Sequence, residues 1–263
     1  FRPASIANQN STKLFNADLR HTVRFKWQQA KFTSGMQVFN KQIVSNDRGN
    51  HKHLHTGIYA NLQHQLLNKL FVTEGIRADW DQSYKWSLIP QLNLAYTGAV
   101  ATLRASVSKG IRDADFTERY NNYNKPLVTG GSIGNPALEA ERSFNMEMGA
   151  DLLLDKPVQV HATLFQRNQA SLIDWATTAY ANMPIRNNLI PTGIYALASN
   201  IANINTKGAE LDFSGNHSWG KETKLRWNGE VMSDDQVNTL LRVLADFPLL
   251  IHILLYAWFL QVH

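Results

Sequence analysis

Apolar and polar residues alternate along most of this chain with a period of two. Between Leu19 and Trp27, the side chains of Leu19, Val23, Phe25 and Trp27 share one face, and Arg, Thr and Lys side chains share the other. Because successive side chains of a β-strand point to opposite faces, this pattern predicts strands with one apolar and one polar face. The same rhythm returns in residues 54–66, 70–80, 92–96, 103–108, 144–154, 158–164, 209–213 and 225–231.

The lengths of these runs favour a membrane over a soluble core. Several runs reach about 9–11 residues, the length that a tilted strand needs to cross a bilayer, whereas strands of soluble proteins are usually nearer 5–6 residues, a rough average. The connections also differ in length: residues 154–158 and 219–222 form tight turns, while residues 113–142 and 176–203 form long polar loops. Short turns at one end and long loops at the other are typical of outer-membrane barrels.

Composition excludes several other classes of protein. Charged residues make up 18% of the 263 residues, below the roughly 25% of soluble globular proteins. The net charge is +5, but the basic residues are scattered, without the stripe or module that nucleic-acid binding requires. The chain has no Cys, which excludes disulfides and thiolate metal sites.

The candidate catalytic and metal motifs are weak. His53 and His55 share one strand face, but no carboxylate or Cys lies close to them in sequence, so we expect polar lumen or loop histidines and no metal or cofactor. The Gly-rich run at residues 130–134 lacks the Lys-Ser/Thr of a phosphate loop. Asp234 and Asp235 are typical of a turn rather than of a general acid and base. The chain is therefore not expected to be an enzyme.

The C-terminal part has a different pattern. Residues 240–260 are almost continuously apolar, and the charge-free part that begins at Phe247 spans about 14 residues, short for a membrane-spanning helix. Two interpretations stay open: a truncated or frame-shifted end, and a genuine terminal helix or membrane anchor. We divide the chain accordingly into a barrel portion, residues 1–235, and an apolar segment, residues 236–263.

Short motifs in the centre of the chain resemble a known family. A Gly-aliphatic-Arg step ends the strand at residues 107–112, a Phe and a Glu-Arg-Tyr segment follow at 116–120, and an Asn-Pro-x-Leu-x-x-Glu turn occupies 135–141. This order resembles the later barrel strands of TonB-dependent outer-membrane receptors. Further segments similar to that family, in the same order, are residues 71–80, 89–96, 162–168, 172–175 and 203–211.

The resemblance implies an all-β fold: an antiparallel transmembrane β-barrel fragment of roughly 10–12 strands, about half of a barrel of the 22-strand class. It implies import of a scarce nutrient, cobalamin or a ferric siderophore, across the bacterial outer membrane. The Leu-Ile-Asp-Trp step at residues 172–175 is most similar to the cobalamin branch. The implied partners are outer-membrane lipid and the TonB energy-transducing complex, which acts through a plug domain that this sequence lacks.

Site residues follow from the same resemblance. Aromatic residues of the long loops are candidates for ligand binding, with an interfacial girdle or a loop anchor as the alternative: Tyr120, Tyr123, Trp175, Tyr180 and Tyr195. Charged residues of the polar faces are candidates for the barrel lumen, where they form charge pairs or are simply solvated: Arg104, Arg112, Glu118, Glu141, Glu147, Arg167 and Glu210.

Two other classes of function remain open at this point. A passive porin-like barrel or an outer-membrane adhesin would have the same alternating strands and long loops. A soluble β-sandwich binding domain would also alternate, with its apolar faces turned into a protein core. A half barrel has unpaired strand edges and an apolar wall, so we expect the isolated chain to aggregate without lipid or detergent.

Overall fold

The computed structural model describes residues 8–155, 158–219 and 223–233, and these residues are almost entirely β-structure. One short helix, α1 (Phe116–Tyr120), and two 3₁₀ turns, Trp27–Gln29 and Tyr180–Asn182, accompany the strands. The strands are β1 (Asn10–Arg24), β2 (Lys31–Ser45), β3 (Gly49–Leu66), β4 (Leu70–Asp81), β5 (Lys85–Thr97), β6 (Ala101–Arg112), β7 (Val128–Ile133), β8 (Glu141–Asp155), β9 (Val158–Thr178), β10 (Leu189–Trp219) and β11 (Thr223–Ser233).

The eleven described strands form one sheet in the order β1-β2-β3-β4-β5-β6-β8-β9-β10-β11, with β7 paired to β10. All neighbours along this order are antiparallel, and only the short β7 pairs in parallel. The sheet is unclosed, which confirms the predicted partial antiparallel barrel of roughly 10–12 strands. A single sheet is not a sandwich, so the soluble β-sandwich alternative is wrong. The predicted apolar segment 236–263 lies outside the described residues.

The predicted apolar faces form a continuous outer wall. In the register of neighbouring strands, Leu19 lies opposite Met36, Met36 opposite Ile58, Ile58 opposite Ala78, and Ala78 opposite Leu88. Leu19, Ile58 and Leu88 are 67%, 61% and 57% exposed. A row of exposed apolar side chains across five strands is far larger than the scattered apolar residues of a soluble surface. It is the band that a membrane barrel presents to lipid.

The opposite face is polar, and its charged side chains pair with one another. The Arg20 Nε donates to the Tyr59 hydroxyl across β2 at 3.2 Å. The Arg77 Nε lies 2.6 Å from the Asp79 Oδ1 on the same strand. Since these residues alternate with the apolar row in the same register, this face lines the interior of the barrel.

The strands extend beyond the length that alternation predicts. β9 has 21 residues and β10 has 31, so the connection between them is residues 179–188 and the predicted long loop at 176–203 is wrong. Backbone hydrogen bonds hold a strand together whatever its side chains are, whereas the two-residue rhythm reports contact with an apolar environment. The alternation of apolar and polar residues therefore ends before the strand ends.

The long connections leave the sheet at one end. Residues 25–30, 67–69 and 98–100 join strands at the opposite, short-turn end. Residues 46–48, 82–84, 113–140 and 179–188 join them at what we call the loop end. The prediction that the long connections share one end is confirmed for the described strands, although two short turns occur there as well.

None of the helices within residues 8–155, 158–219 and 223–233 has the length and apolarity needed to cross a membrane.

An Arg on the outer wall is expected to destabilise the fold in lipid. Met148 lies at the middle of β8 and is 67% exposed, between Ala105 and Leu164 of the neighbouring strands. Because a charge near the bilayer midplane loses its hydration, Met148→Arg should lower the free energy of unfolding by about 2–4 kcal/mol. Denaturant titration of the protein folded in phospholipid bilayers measures this change.

The matched control is Ser106→Arg on the neighbouring β6, where residue 106 lies opposite Glu147 on the inner face. A guanidinium there stays in water beside a carboxylate, so little change in stability is expected. Equal destabilisation by the two substitutions would contradict the assignment of the outer face.

Candidate functional site

A cavity of about 1130 Å³ lies at the loop end, on the inner face of the sheet. The ends of β2, β3, β4 and β6 form its wall. Residues 113–120 and 136–140 cover it; they belong to the connection between β6 and β8, residues 113–140, which we call the covering loop. Lys41, His53, Asp81, Arg112 and Tyr120 are among its lining residues. The cavity is therefore bounded by a rigid sheet on one side and by a folded loop on the other.

The covering loop begins with a capped helix. Asp115 precedes α1, and its Oδ1 accepts hydrogen bonds from the backbone N–H groups of Thr117 at 2.7 Å and Glu118 at 2.8 Å. The Glu118 Oε2 accepts the Asp115 N–H at 2.8 Å, which completes a capping box. This reciprocal arrangement satisfies donors that the first turn of a helix otherwise leaves free. A helix of only five residues is thereby held in place.

Arg119 holds the two ends of the covering loop together. Its side chain is buried, and its Nη1 donates to the Pro136 carbonyl at 2.8 Å and the Leu138 carbonyl at 3.1 Å. Its Nη2 donates to the Asp113 Oδ1 at 2.6 Å. A buried guanidinium is stable only when such acceptors surround it. The covering loop is thus a packed element whose two ends are joined through the buried Arg119 side chain.

Three of the predicted lumen residues form one network. Arg112 ends β6, Glu141 begins β8, and the two are register partners. The Arg112 Nε and Nη2 donate to the two carboxylate oxygens of Glu141 at 2.6 and 2.7 Å, and Nη1 and Nη2 donate to Glu118 at 3.0 Å each. Such two-pronged pairs fix geometry as well as charge. The network ties both ends of the covering loop to the strands that it connects.

The other predicted lumen residues also lie on the inner face. Arg104 donates from Nε and Nη2 to Asp151 at 2.8 Å each, and its Nη1 lies 3.8 Å from the Glu147 carboxylate. The Arg167 Nε donates to the Asn145 amide oxygen at 3.1 Å. Glu210 lies on β10 opposite Thr163. Arg104 therefore lies near Glu147 but makes its shorter contact with Asp151, a residue that the sequence interpretation did not name.

Three carboxylates lie beside the histidines of β3, although none is near them in sequence: Asp79, Asp81 and Asp113. The His53 Nε2 lies 2.8 Å from the Asp81 Oδ2 and 3.6 Å from the Asp113 Oδ2, and the His55 Nδ1 lies 3.2 Å from the same Asp81 oxygen. The signal that could have found Asp81 is the hairpin turn at residues 67–69, because counting outward from it places residue 81 opposite residue 55.

Tyr84, in the short connection after β4, lies beside these histidines and carboxylates. Its hydroxyl lies 3.3 Å from the His55 Nδ1. Burial, together with the neighbouring carboxylates of Asp81 and Asp79, raises the pKa of the Tyr84 phenol well above its usual value. The phenol therefore stays protonated and can hydrogen-bond to the imidazole.

Among the five aromatic candidates, Tyr120 lies at the cavity. Its ring stacks on the imidazole of His51, with centroids 3.5 Å apart and planes 4° from parallel. Tyr123 meets Tyr120 edge-on at 6.0 Å, and burial, followed by the nearby Tyr120, raises the pKa of the Tyr123 phenol. Tyr120 therefore keeps its place as a candidate ligand contact, with Tyr123 behind it.

The remaining aromatic candidates lie in other parts of the structure. Tyr195 belongs to β10 and is 1% exposed; its hydroxyl donates to the Val128 carbonyl at 2.6 Å and accepts the Ile190 N–H at 3.0 Å. Tyr180 packs against the same buried cluster. Trp175 lies within β9, not in a loop. Tyr195 thus has the geometry of a loop anchor, the alternative to ligand contact.

A family model described as "TonB dependent receptor-like, beta-barrel" matches residues 3–246 of the chain. No curated protein matches the chain in sequence.

Solved receptor structures have the same fold. The siderophore receptor PirA from Pseudomonas aeruginosa superimposes with a TM-score of 0.66 at 16% identity, covering 86% of this chain and 41% of that receptor. A mutant of the ferric enterobactin receptor PfeA from the same organism gives a TM-score of 0.66 at 14% identity over 86% and 36%. The copper transporter OprC gives 0.65 at 13% identity over 86% and 38%. The chain spans about two fifths of the length of these three proteins.

Removal of the Tyr195 hydroxyl is expected to loosen the loops at the loop end. Tyr195→Phe keeps the ring but leaves the Val128 carbonyl and the Ile190 N–H without their buried partner, at a cost of about 1–3 kcal/mol. Hydrogen exchange of the β7 amides should report this as faster local opening.

The matched control is Tyr180→Phe. Tyr180 packs against the same cluster, but its hydroxyl makes no hydrogen bond with the described residues. This change should leave exchange in β7 nearly unaltered. If both variants opened β7 to the same extent, ring packing and not the Tyr195 hydroxyl would hold the loops.

Proposed function

Because this chain belongs to the family of TonB-dependent receptor β-barrels, we propose that it forms part of a bacterial outer-membrane receptor that binds a scarce nutrient and imports it. The nutrient is cobalamin or a ferric siderophore. The receptor binds and passes its ligand without breaking bonds in it, so it is not an enzyme. The energy comes from the TonB complex, acting through a plug domain inside the complete barrel.

The cavity at the loop end is the observation that carries this proposal. Its volume of about 1130 Å³ is slightly above the roughly 300–1,000 Å³ of sites for drug-sized molecules, which suits a large nutrient. It lies on the inner face, at the end where the long connections of the chain emerge. A ligand that enters from the outer side would meet this cavity before it reached the interior of the barrel.

The charges around the cavity favour a ligand of low net charge. Five Lys and Arg side chains and five Asp and Glu side chains line it, together with His53 and His55, and Arg112 and Arg119 are already paired with carboxylates. Lys41 is exposed and has no ion pair among the described residues. A balanced lining gives weak attraction for a highly charged anion, because complementary potentials direct recognition. Cobalamin or a siderophore of low charge fits this lining better than a polyanionic chelate.

Uptake of labelled ligand separates the candidate functions. A strain that depends on the complete receptor should take up either labelled cyanocobalamin or a labelled ferric siderophore, and a protonophore should abolish that uptake. Uptake of both ligands that persists without the proton-motive force would indicate a passive pore. Uptake of neither ligand would reject the proposal.

Within that assay, reversal of an unpaired charge of the cavity should weaken binding. Lys41→Glu replaces an ammonium donor with a carboxylate beside the ligand, which should raise the Kd about tenfold, the equivalent of one hydrogen bond to a charged group. Binding of labelled ligand to whole cells at low temperature measures this Kd.

Lys31→Glu provides the matched control. Lys31 begins the same strand and lies opposite Gln63 on the inner face, at the short-turn end. Its reversal should leave the Kd unchanged if the ligand binds at the loop end. A larger effect at Lys31 than at Lys41 would place the binding site elsewhere.

A further inference from the structure

Three side chains from three separate segments direct metal-ligating atoms at one point of the cavity wall. The atoms come from His53 on β3, Asp81 at the end of β4 and Asp113 at the start of the covering loop, and all lie within 4.8 Å of one another. The shortest separation is 2.8 Å, between the His53 Nε2 and the Asp81 Oδ2. One imidazole nitrogen and two carboxylate oxygens are the donor types that bind Zn²⁺ and related ions.

The oxygens that face away from this point already have partners. The Asp81 Oδ1 accepts the Ser83 N–H at 2.8 Å, and the Asp113 Oδ1 accepts from the Arg119 Nη2 at 2.6 Å. The Asp113 Oδ2 also accepts the Ser83 hydroxyl at 3.2 Å. The Oδ1 of each carboxylate is therefore held by a donor of its own, while its Oδ2 faces His53 with one further neighbour, His55 for Asp81 and Ser83 for Asp113. Outer contacts of this kind orient metal ligands before a metal arrives.

The buried carboxylates of this cluster need positive charge beside them. Asp81 is buried and Asp113 is mostly buried; the guanidinium of Arg119 pairs with Asp113, and the imidazoles of His53 and His55 lie 2.8 and 3.2 Å from the Asp81 Oδ2. A buried carboxylate needs a positive partner, either a protonated imidazole or a metal ion. The pair His161–Asp151, 2.9 Å apart on the same inner face, differs because Arg104 pairs with Asp151 and no second carboxylate within the described part of the chain completes a set of three.

We propose that His53, Asp81 and Asp113 bind one divalent first-row transition-metal ion, with Zn²⁺ as the representative. Ligands at about 2.0 Å from a tetrahedral Zn²⁺ are about 3.3 Å apart. The spacings of 2.8 and 3.6 Å from the His53 Nε2 to the two carboxylate oxygens lie on either side of this value, so small side-chain rotations bring the atoms onto one ion. His55 and Ser83 then act as orienting neighbours of the ligands.

Such an ion would join two strands to the covering loop. It would connect β3 and β4 to Asp113 and so hold the loop start against the barrel wall. Three protein ligands leave at least one coordination position for water or a ligand atom, and all three side chains line the cavity. The site is a fixed element of the wall, and it does not depend on which nutrient the receptor imports.

Titration of the complete, metal-free receptor in detergent with Zn²⁺ tests the site. Isothermal calorimetry should show binding of one ion. His53→Gln and Asp113→Asn should each raise the Kd by roughly tenfold or more, because loss of a residue that only orients a metal ligand already weakens binding by about that factor. His161→Gln, the matched control, should leave the Kd unchanged. The absence of Zn²⁺ binding in the unaltered receptor would overturn the proposal, as would an equal loss in the His161 variant.

Co²⁺ keeps the test decisive if a variant fails to fold. When Co²⁺ is added to the unaltered receptor, the bound ion should absorb visible light with the intensity typical of four- or five-coordinate Co²⁺. Added Zn²⁺ should displace the Co²⁺ and abolish this absorption. A spectrum that stays that of the hydrated ion would overturn the site. Loss of nutrient uptake with Zn²⁺ binding intact would instead reject only the proposed import function.

Discussion

The hydrogen-bond ladder between neighbouring strands is the constraint on which the other features of this protein depend. A bilayer offers no partner to a backbone N–H or C=O group, so every strand that crosses it must pair on both sides. The β1–β2 ladder runs without interruption from Asn10↔Ser45 to Arg24↔Lys31, and the β2–β3 ladder from Lys31↔Gln63 to Ser45↔Gly49. In the described part of the sheet, β1 and β11 are the outermost strands, and they need further strands to satisfy their free edges.

The same ladder places the functional side chains that the strands carry. Arg112 meets Glu141 because β6 and β8 pair at those positions, and His55 meets Asp81 because β3 and β4 do. A slip of one residue in either pair would turn these charged groups to the outer wall and bring apolar residues inside. The lipid-facing row and the polar cavity are therefore two results of one register, and neither can change alone.

Much of this architecture follows from alternation, and its limits have physical causes. The run from Leu19 to Trp27 identifies both the strand and its faces, since bilayer and lumen impose opposite polarities on adjacent residues. Alternation fails at Tyr195, because that part of β10 pairs with β7 and buries its side chains in loop packing rather than in lipid. It also cannot bring Asp113 to His53, because residues far apart in sequence meet through strand pairing and loop packing.

The folded state of the covering loop bears on how strongly the cavity can bind. Residues 113–140 are held by the pairs of Arg112 with Glu118 and Glu141, by the buried Arg119, which joins the two ends of the loop, and by β7, which pairs with β10. A loop that must first become ordered subtracts that entropy from the binding free energy. Since this loop is already ordered by its own contacts, a ligand in the cavity needs to immobilise little more than its own groups and exposed side chains such as Lys41. Rigidity of the wall thus comes from the backbone pairing that a bilayer imposes, and preorganisation of the site comes from the ion pairs and hydrogen bonds of Arg112 and Arg119 at the loop end.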